Sequence, residues 1–132
     1  MLFLDSSVII AYSEDHPTVV EYIEDSGQLL TSTICVYEVV NGEMWASGKS
    51  AHAIRDGFGG VQSIDLNEEI AMEAARIQTQ LRRAGDEMAV RDLLIGATAR
   101  TTGAELVVAD SDFETEHLRE LMTVTNLNVE GG

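Results

Sequence analysis

The chain has 132 residues, with 23 Asp and Glu against 8 Lys and Arg, so its formal net charge is −15. This length fits one domain, residues 1–132, that can bury enough surface to fold without a disulfide or a structural metal. The hydrophobic fraction of 45% is too high for a disordered acidic tail. The charge argues against a basic protein that wraps nucleic acid or binds an anionic membrane, because its average field repels phosphate.

Seven of the eight basic residues are Arg, and Lys49 is the only Lys. Many carboxylates with almost no Lys favour a protein from a halophile. At about 1 M salt the Debye length falls to roughly 3 Å, which screens self-repulsion. The alternative is an ordinary acidic cytosolic domain.

The start of the chain does not predict a targeting signal. Its apolar run lacks a basic flank and is interrupted by Asp5, unlike a signal peptide. No apolar run reaches the roughly 20 residues of a membrane span, so we expect a cytoplasmic protein without membrane contact. Cys35 is the only cysteine, which rules out an intrachain disulfide and predicts a buried apolar residue.

Short apolar runs alternate with helical patterns along the first half of the chain. The predicted elements are a strand at 1–4, a helix at 8–12 capped by Ser6 or Ser7, a helix that begins at Pro17 and is stopped by Gly27, a strand at 29–31, and a helix capped by Ser32 or Thr33 that runs toward Trp45.

The same alternation continues in the second half. It predicts an amphipathic stretch at 51–55, a strand at 61–66, a long helix opened by Leu66 or Asn67 and ended by Gly85, a helix at 88–101 ended by Gly103, a strand at 106–109, a helical segment at 115–121 and a last strand at 122–125. This order predicts an α/β fold with a parallel sheet covered on both faces. Sites in such sheets form at the carboxyl ends of strands, where the strand order reverses.

Acidic residues occur at two informative kinds of position. Some directly follow predicted strands, where such a site would form, and others lie within apolar helical stretches, where burying a charged carboxylate is energetically unfavourable. Asp5 and Asp110 directly follow predicted strands, and Asp112 comes two residues later. Glu38 and Asp92 lie inside apolar helical stretches, where a buried carboxylate must be protonated, paired or bound to metal. For Glu38, a solvated helix face is an equal alternative. Four or five converging acids favour Mg²⁺ or Mn²⁺, whereas no His or Cys spacing supports zinc.

Four segments resemble the motifs of PIN-domain ribonucleases, in that family's order, over residues 4–113. They are Leu4-Asp5-Ser6-Ser7-Val8-Ile9-Ile10, Glu38-Val39-Val40-Asn41-Gly42, Asp92-Leu93-Leu94-Ile95-Gly96-Ala97-Thr98-Ala99 and Val107-Val108-Ala109-Asp110-Ser111-Asp112-Phe113. The length resembles that of VapC-type toxins of toxin–antitoxin pairs. The family often has Thr where Ala109 stands, so a hydroxyl is missing there. Ser7 either takes part of that role or caps a helix.

The resemblance implies a three-layer α/β/α sandwich with a central parallel sheet of four or five strands. It implies a VapC-like endoribonuclease that hydrolyses RNA, with Asp5, Glu38, Asp92 and Asp110 as catalytic residues. Asp5, Asp92, Asp110 and Asp112 would hold one or two Mg²⁺ or Mn²⁺ ions, and Glu38 would orient the attacking water or complete the metal's shell. It also implies a homodimer and a VapB-like antitoxin that neutralises the toxin.

The basic residues concentrate between residues 76 and 100, a segment that contains five arginines and three acidic residues. Because Arg suits bidentate phosphate contact, we hypothesise that an arginine ridge with Arg82 and Arg83 guides RNA toward Asp92. Ser7 is assigned to the same substrate-binding set. An equal alternative for the arginines is pairing along the helix, for example Arg83 with Glu87.

Other classes of protein fit the sequence less well. A haloacid-type phosphatase needs a second Asp two residues after Asp5, where Ser7 stands. A signalling receiver domain shares the size and architecture but needs a late Lys, whereas the chain's only Lys is Lys49. The alternative to an enzyme is a non-catalytic PIN-like or receiver-like domain that binds metal and mediates interactions.

Overall fold

A computed structural model describes residues 1–110, 113 and 116–129 of the chain. Its five strands form one parallel sheet: β1 (Leu2–Leu4), β2 (Leu29–Ser32), β3 (Val61–Ile64), β4 (Glu105–Val108) and β5 (Val124–Asn126). The helices of these residues are α1 (Ser6–Ser13), α2 (Pro17–Glu24), α3 (Thr33–Ser47), α4 (Ala51–Asp56), α5 (Glu68–Arg83), α6 (Val90–Thr102) and α7 (Leu118–Leu121). The predicted α/β fold with a parallel sheet is therefore confirmed.

The sheet separates two apolar cores, which makes the three-layer α/β/α architecture. Along β1, Phe3 faces the core that includes Ile77 of α5 and Ile95 of α6. Its neighbours Leu2 and Leu4 face the opposite core, formed with α1, α2 and α4. This alternation follows from the two-residue period of a strand. Within the described residues, no helix is long and apolar enough to span a membrane.

The strand order is β3-β2-β1-β4-β5. The chain adds β2 and β3 on one side of β1 and then returns to place β4 on the other side. The order therefore reverses between β1 and β4, which is where a site is expected in such a sheet. The order also differs from the 2-1-3-4-5 arrangement of receiver domains, so the receiver-like alternative does not fit the fold.

Helix starts follow the predicted capping chemistry with one important difference. Ser32 caps α3 and Asn67 caps α5, each accepting a hydrogen bond from a backbone N–H of the first turn. The cap of α1 is Asp5, whose carboxylate accepts from the backbone N–H of Ser7. The prediction that Ser6 or Ser7 caps α1 is therefore wrong, because the residue that ends β1 also caps the helix that follows.

The start of α6 also differs from the prediction, which began the helix at residue 88. The helix begins at Val90. The Gln78 side chain donates to Met88 O at 2.8 Å and accepts from Met88 N at 3.1 Å. These two bonds satisfy the main chain of Met88 outside the helix, so α6 begins two residues later. Gln78 is buried, and its amide connects α5 to the segment before α6.

Candidate active site

Asp5 lies where β1 ends and α1 begins, and only 2% of its surface is exposed. Its backbone N–H donates to Val107 O at 3.0 Å, which ties this end of β1 to β4. Its Oδ2 accepts from Ser7 Oγ at 2.9 Å and from Ser7 N at 3.4 Å. Strand pairing and capping thus fix the carboxylate, and the second oxygen, Oδ1, faces Cys35 and Arg91.

The Arg91 guanidinium lies between three carboxylates that come from three parts of the chain. Its Nη2 donates to Asp5 Oδ1 at 3.2 Å, and its Nε donates to Glu38 Oε2 at 2.8 Å. Nη2 also donates to Glu38 Oε1, and Nη1 donates to the neighbouring Asp92. Hydrogen bonds to Glu38, with the nearby Asp5 charge, raise the pKa of Arg91 above its ordinary value despite partial burial. The group therefore remains charged in this cluster.

Asp92 lies in the first turn of α6, next to Arg91. Burial raises the pKa of its carboxyl above the ordinary value; the Arg91 hydrogen bond and charge act in the opposite direction. The negative charges of Asp5 and Asp110 raise this pKa further, so Asp110, which follows β4, acts on the same edge of the sheet. The other predicted ligand, Asp112, lies outside the described residues.

The chemistry of these donors fits a divalent cation. Carboxylate oxygens are the ligands that Mg²⁺ and Mn²⁺ prefer, and Asp5, Glu38 and Asp92 already contact one cationic group. Within the part of the chain that the structure describes, no three acidic, His or Cys side chains are arranged to hold a metal ion as they stand. The carboxylates are instead paired with Arg91.

The family model of the PIN domain matches residues 2–115. The chain belongs to the PIN-domain family. This confirms the resemblance to that family, and the matched residues span all four motifs. Among curated protein sequences, no significant match was found.

Several solved structures share the fold of this PIN domain. A toxin–antitoxin complex from Klebsiella pneumoniae is 18% identical with a TM-score of 0.75, and the match covers 96% of this chain and 98% of that chain. VapBC-1 from nontypeable Haemophilus influenzae is 20% identical with a TM-score of 0.73, over 96% and 98%. The sarcin–ricin-loop-cleaving toxin VapC20 from Mycobacterium tuberculosis is 19% identical with a TM-score of 0.64, over 86% and 92%. These similarities show a common fold.

In this PIN domain, the Ser7 hydroxyl contacts both Asp5 and the main chain of Ala109. Its hydroxyl donates to Asp5 Oδ2 and accepts from the backbone N–H of Ala109 at 3.2 Å. It therefore connects the carboxylate that ends β1 to the end of β4. Ser7 thus holds Asp5 in place, and a contact with substrate stays a prediction.

The predicted arginine ridge is largely paired with acids. Arg82 contacts Glu87 at 2.9 Å, and Arg76 contacts Glu73 at 2.9 Å. The suggested pairing of Arg83 with Glu87 is wrong, because Arg82 takes that position. Arg83 is exposed and forms no ion pair with another described residue. Of the two arginines assigned to RNA, Arg83 is therefore the one whose charge is available.

Two residues of the site carry no clear signal in the sequence. Arg91 is counted with the basic segment, yet its guanidinium lies in the acidic cluster. Cys35 is fully buried, as predicted, and its Sγ lies 3.8 Å from Asp5 Oδ1. Their contacts with Asp5 join residues that are 86 and 30 positions apart. The one available signal is that Arg91 adjoins a motif acid.

Burial, with the nearby Asp5 charge, raises the pKa of the Cys35 thiol to about 12. At pH 8 roughly a tenth of a thiol with an ordinary pKa of about 9 is thiolate, against about one part in ten thousand here. We therefore expect iodoacetamide at pH 8 to leave Cys35 unmodified in the native protein and to modify it fully in urea. Intact-protein mass spectrometry measures both. Rapid modification of the native protein would contradict the buried position.

Proposed function

We propose that this PIN domain is a metal-dependent endoribonuclease that hydrolyses RNA phosphodiester bonds, as the VapC-like toxin of a toxin–antitoxin pair. The observation that carries this proposal is the convergence of Asp5, Glu38 and Asp92 on one cationic group, with Asp110 at the same edge of the sheet. Carboxylates this close together are unfavourable without a counter-ion. Their position at the β1–β4 reversal is where ligands bind in open α/β sheets.

The proposed roles follow from how each acid is held. Asp5 and Asp92, with Asp110 and Asp112, would hold Mg²⁺ or Mn²⁺. When bound, such an ion lowers the pKa of water and neutralises charge that develops on phosphate oxygens. Glu38 is 31% exposed, against 2% for Asp5, so water reaches its side chain more readily. Glu38 would orient the attacking water and accept its proton.

The structural neighbours support the substrate and the partner. One of them, VapC20 from Mycobacterium tuberculosis, is a sarcin–ricin-loop-cleaving toxin, which supports RNA as the substrate. Others are toxin–antitoxin assemblies, which support a VapB-like antitoxin. The helix α3 exposes Tyr37, Met44 and Trp45, the last by 94%. Exposed apolar side chains of this size are commonly covered by protein partners, which agrees with an antitoxin and a second copy of the chain.

Cleavage of RNA with and without metal tests this function. Purified toxin, free of antitoxin, should cut end-labelled RNA in Mg²⁺ or Mn²⁺ and should stop cutting in EDTA. Adding Mn²⁺ in excess over EDTA should restore the same products, which distinguishes metal removal from unfolding. Cleavage that persists in EDTA would contradict the proposed chemistry. Mn²⁺ binding without cleavage of total RNA would favour the non-catalytic alternative.

Reversing charge at the arginine ridge should weaken RNA binding. The variant Arg82→Glu/Arg83→Glu turns two positive charges into two negative ones beside the start of α6, so we expect roughly tenfold weaker binding at moderate salt. The dependence of affinity on salt should become shallower, while Mn²⁺ affinity should not fall. Filter binding in an Asp92→Asn background, which prevents cleavage, measures the first two quantities.

The control for this pair is Lys49→Glu, a charge reversal in the segment between α3 and α4. It should affect RNA binding much less than the double variant. Unchanged RNA binding by Arg82→Glu/Arg83→Glu would show that this ridge does not contact RNA.

A further inference from the structure

Arg91 provides the positive charge that the carboxylate cluster contacts. Within the described residues, no other Lys, Arg or His forms an ion pair with Asp5, Glu38 or Asp92. Its guanidinium binds all three and also donates to Ser6 Oγ at 3.0 Å. Since an Arg side chain is not deprotonated in proteins, it is a permanent cation at this position.

The charges around Arg91 do not balance. One guanidinium faces three carboxylates, so two negative charges remain at a partly buried place. Unpaired charges in such surroundings are unfavourable. A divalent cation would supply the missing charge, but only if it can reach the same oxygen atoms.

Those oxygen atoms already accept hydrogen bonds from the protein. Asp5 Oδ2 accepts two hydrogen bonds from Ser7, so Oδ1 is the oxygen left for a ligand, and Arg91 Nη2 holds it. Both oxygens of Glu38 also accept from Arg91. A cation coordinated at these atoms, at about 2.1 Å for Mg²⁺, would lie next to the guanidinium. Two positive groups this close repel each other strongly where water is partly excluded.

We propose that Arg91 is a built-in counter-ion of the metal-free site, and that a divalent cation must displace it from Asp5, Glu38 and Asp92 in order to bind. This inference rests on the proposed function, since it concerns the same site. It has two consequences. Arg91 stabilises the protein when metal is absent, and it lowers the affinity of the site for metal by competing for the same oxygens.

Isothermal titration of Mn²⁺ into wild type, Arg91→Ala and Arg76→Ala tests the competition. Both variants remove one positive charge, so both change the overall electrostatic attraction of the protein for Mn²⁺ by the same amount. Arg76 pairs with Glu73 outside the cluster, so only Arg91→Ala removes a competitor for the site. We expect Arg91→Ala to bind Mn²⁺ at least about tenfold more tightly than wild type, the lower end of measured couplings between close charge pairs. Arg76→Ala should stay within about twofold. Metal-free Arg91→Ala should have a lower Tm, and saturating Mn²⁺ should raise its Tm more than that of wild type.

Guanidinium ion provides a second measurement. At concentrations well below those that unfold proteins, guanidinium ion should occupy the place of the missing Arg91 side chain and so weaken Mn²⁺ binding by Arg91→Ala. It should leave Mn²⁺ binding by wild type unchanged, because there the Arg91 side chain already occupies that place. If Arg91→Ala does not fold without metal, Arg91→Gln keeps a hydrogen-bond donor without the charge and should show the same gain in affinity.

The outcomes separate this inference from the proposed function. If wild type binds Mn²⁺ and the folded Arg91 variant binds it no more tightly, the counter-ion role is overturned while the metal site stands. If neither wild type nor any Arg91 variant binds Mn²⁺, the proposed function and the inference both fail. Tighter binding by the Arg91 variant that guanidinium ion reverses supports the inference.

Discussion

The variant Asp92→Asn should abolish the RNA cleavage proposed for this PIN domain and leave its fold intact. The side chain keeps its size and can still accept a hydrogen bond from Arg91, but it loses the charge that a divalent cation requires. Since a metal ion contributes several kcal/mol to catalysis of this kind, we expect a loss of at least about a thousandfold, at about 1.4 kcal/mol for each factor of ten. Single-turnover cleavage of end-labelled RNA measures it.

The stability of Asp92→Asn has a predictable dependence on pH. Burial raises the pKa of the Asp92 carboxyl in the folded protein, so the cost of ionising it grows as the pH rises above the pKa of the unfolded chain and is complete above the raised value. Below the pKa of the unfolded chain, both states are protonated and the penalty disappears. Metal-free Asp92→Asn should therefore be at least as stable as wild type at pH 7. Its advantage should shrink as the pH falls toward about 4, the unfolded pKa of Asp.

Asp5→Asn should lose cleavage to a similar extent. Asn is as good a helix cap as Asp, so α1 should still begin at the same place. A matched control is Asp25→Asn, the same change at the exposed end of α2, before β2 and so at the opposite edge of the sheet. That control should keep wild-type cleavage. Full cleavage activity of Asp5→Asn or Asp92→Asn in a preparation free of other nucleases would contradict the assignment of these residues to the active site.

The sequence predicts the sheet and most of the acidic cluster for a clear physical reason. Strands end where apolar runs meet a polar residue, so the sequence alone places Asp5 and Asp110 at one edge of the sheet. The double role of Asp5 could not be predicted. Its Oδ2 caps α1 while its Oδ1 faces Arg91, so capping and site chemistry, which look like alternatives in the sequence, use different atoms of one side chain.

Side-chain contacts between distant elements could not be predicted from the sequence. Arg91 meets Glu38 across 53 positions of the chain, and no periodicity or spacing encodes that contact. As a result, the sequence alone overestimates the free positive charge of residues 76–100. Four of its five arginines pair with acids, and Arg83 is the exception among the described residues. The proposed encounter with RNA therefore depends more on bound metal and on ionic strength than on a basic surface. The high-salt preference stays a prediction.

Gln78 is a second residue whose role is seen only in the tertiary structure. Its replacement should have a large effect on stability. Its amide forms two hydrogen bonds with the buried main chain of Met88. Gln78→Leu keeps the volume but leaves that N–H and C=O without their partner. Each unsatisfied buried group costs about 1–3 kcal/mol, so with two such groups the free energy of unfolding should fall by about 2–6 kcal/mol. Urea titration followed by circular dichroism measures this change.

The control for Gln78→Leu is Gln80→Leu, the same substitution at an exposed position of α5, which should change stability by no more than about 0.5 kcal/mol. Equal stability of the two variants would show that the amide does not hold Met88. Met88 precedes Arg91 by three residues, so its release should also shift the start of α6 and the carboxylate of Asp92. We therefore expect Gln78→Leu to lose cleavage even where it remains folded. If it is unstable but fully active when folded, the ion pairs of Arg91, and not the Gln78 amide, determine where α6 begins.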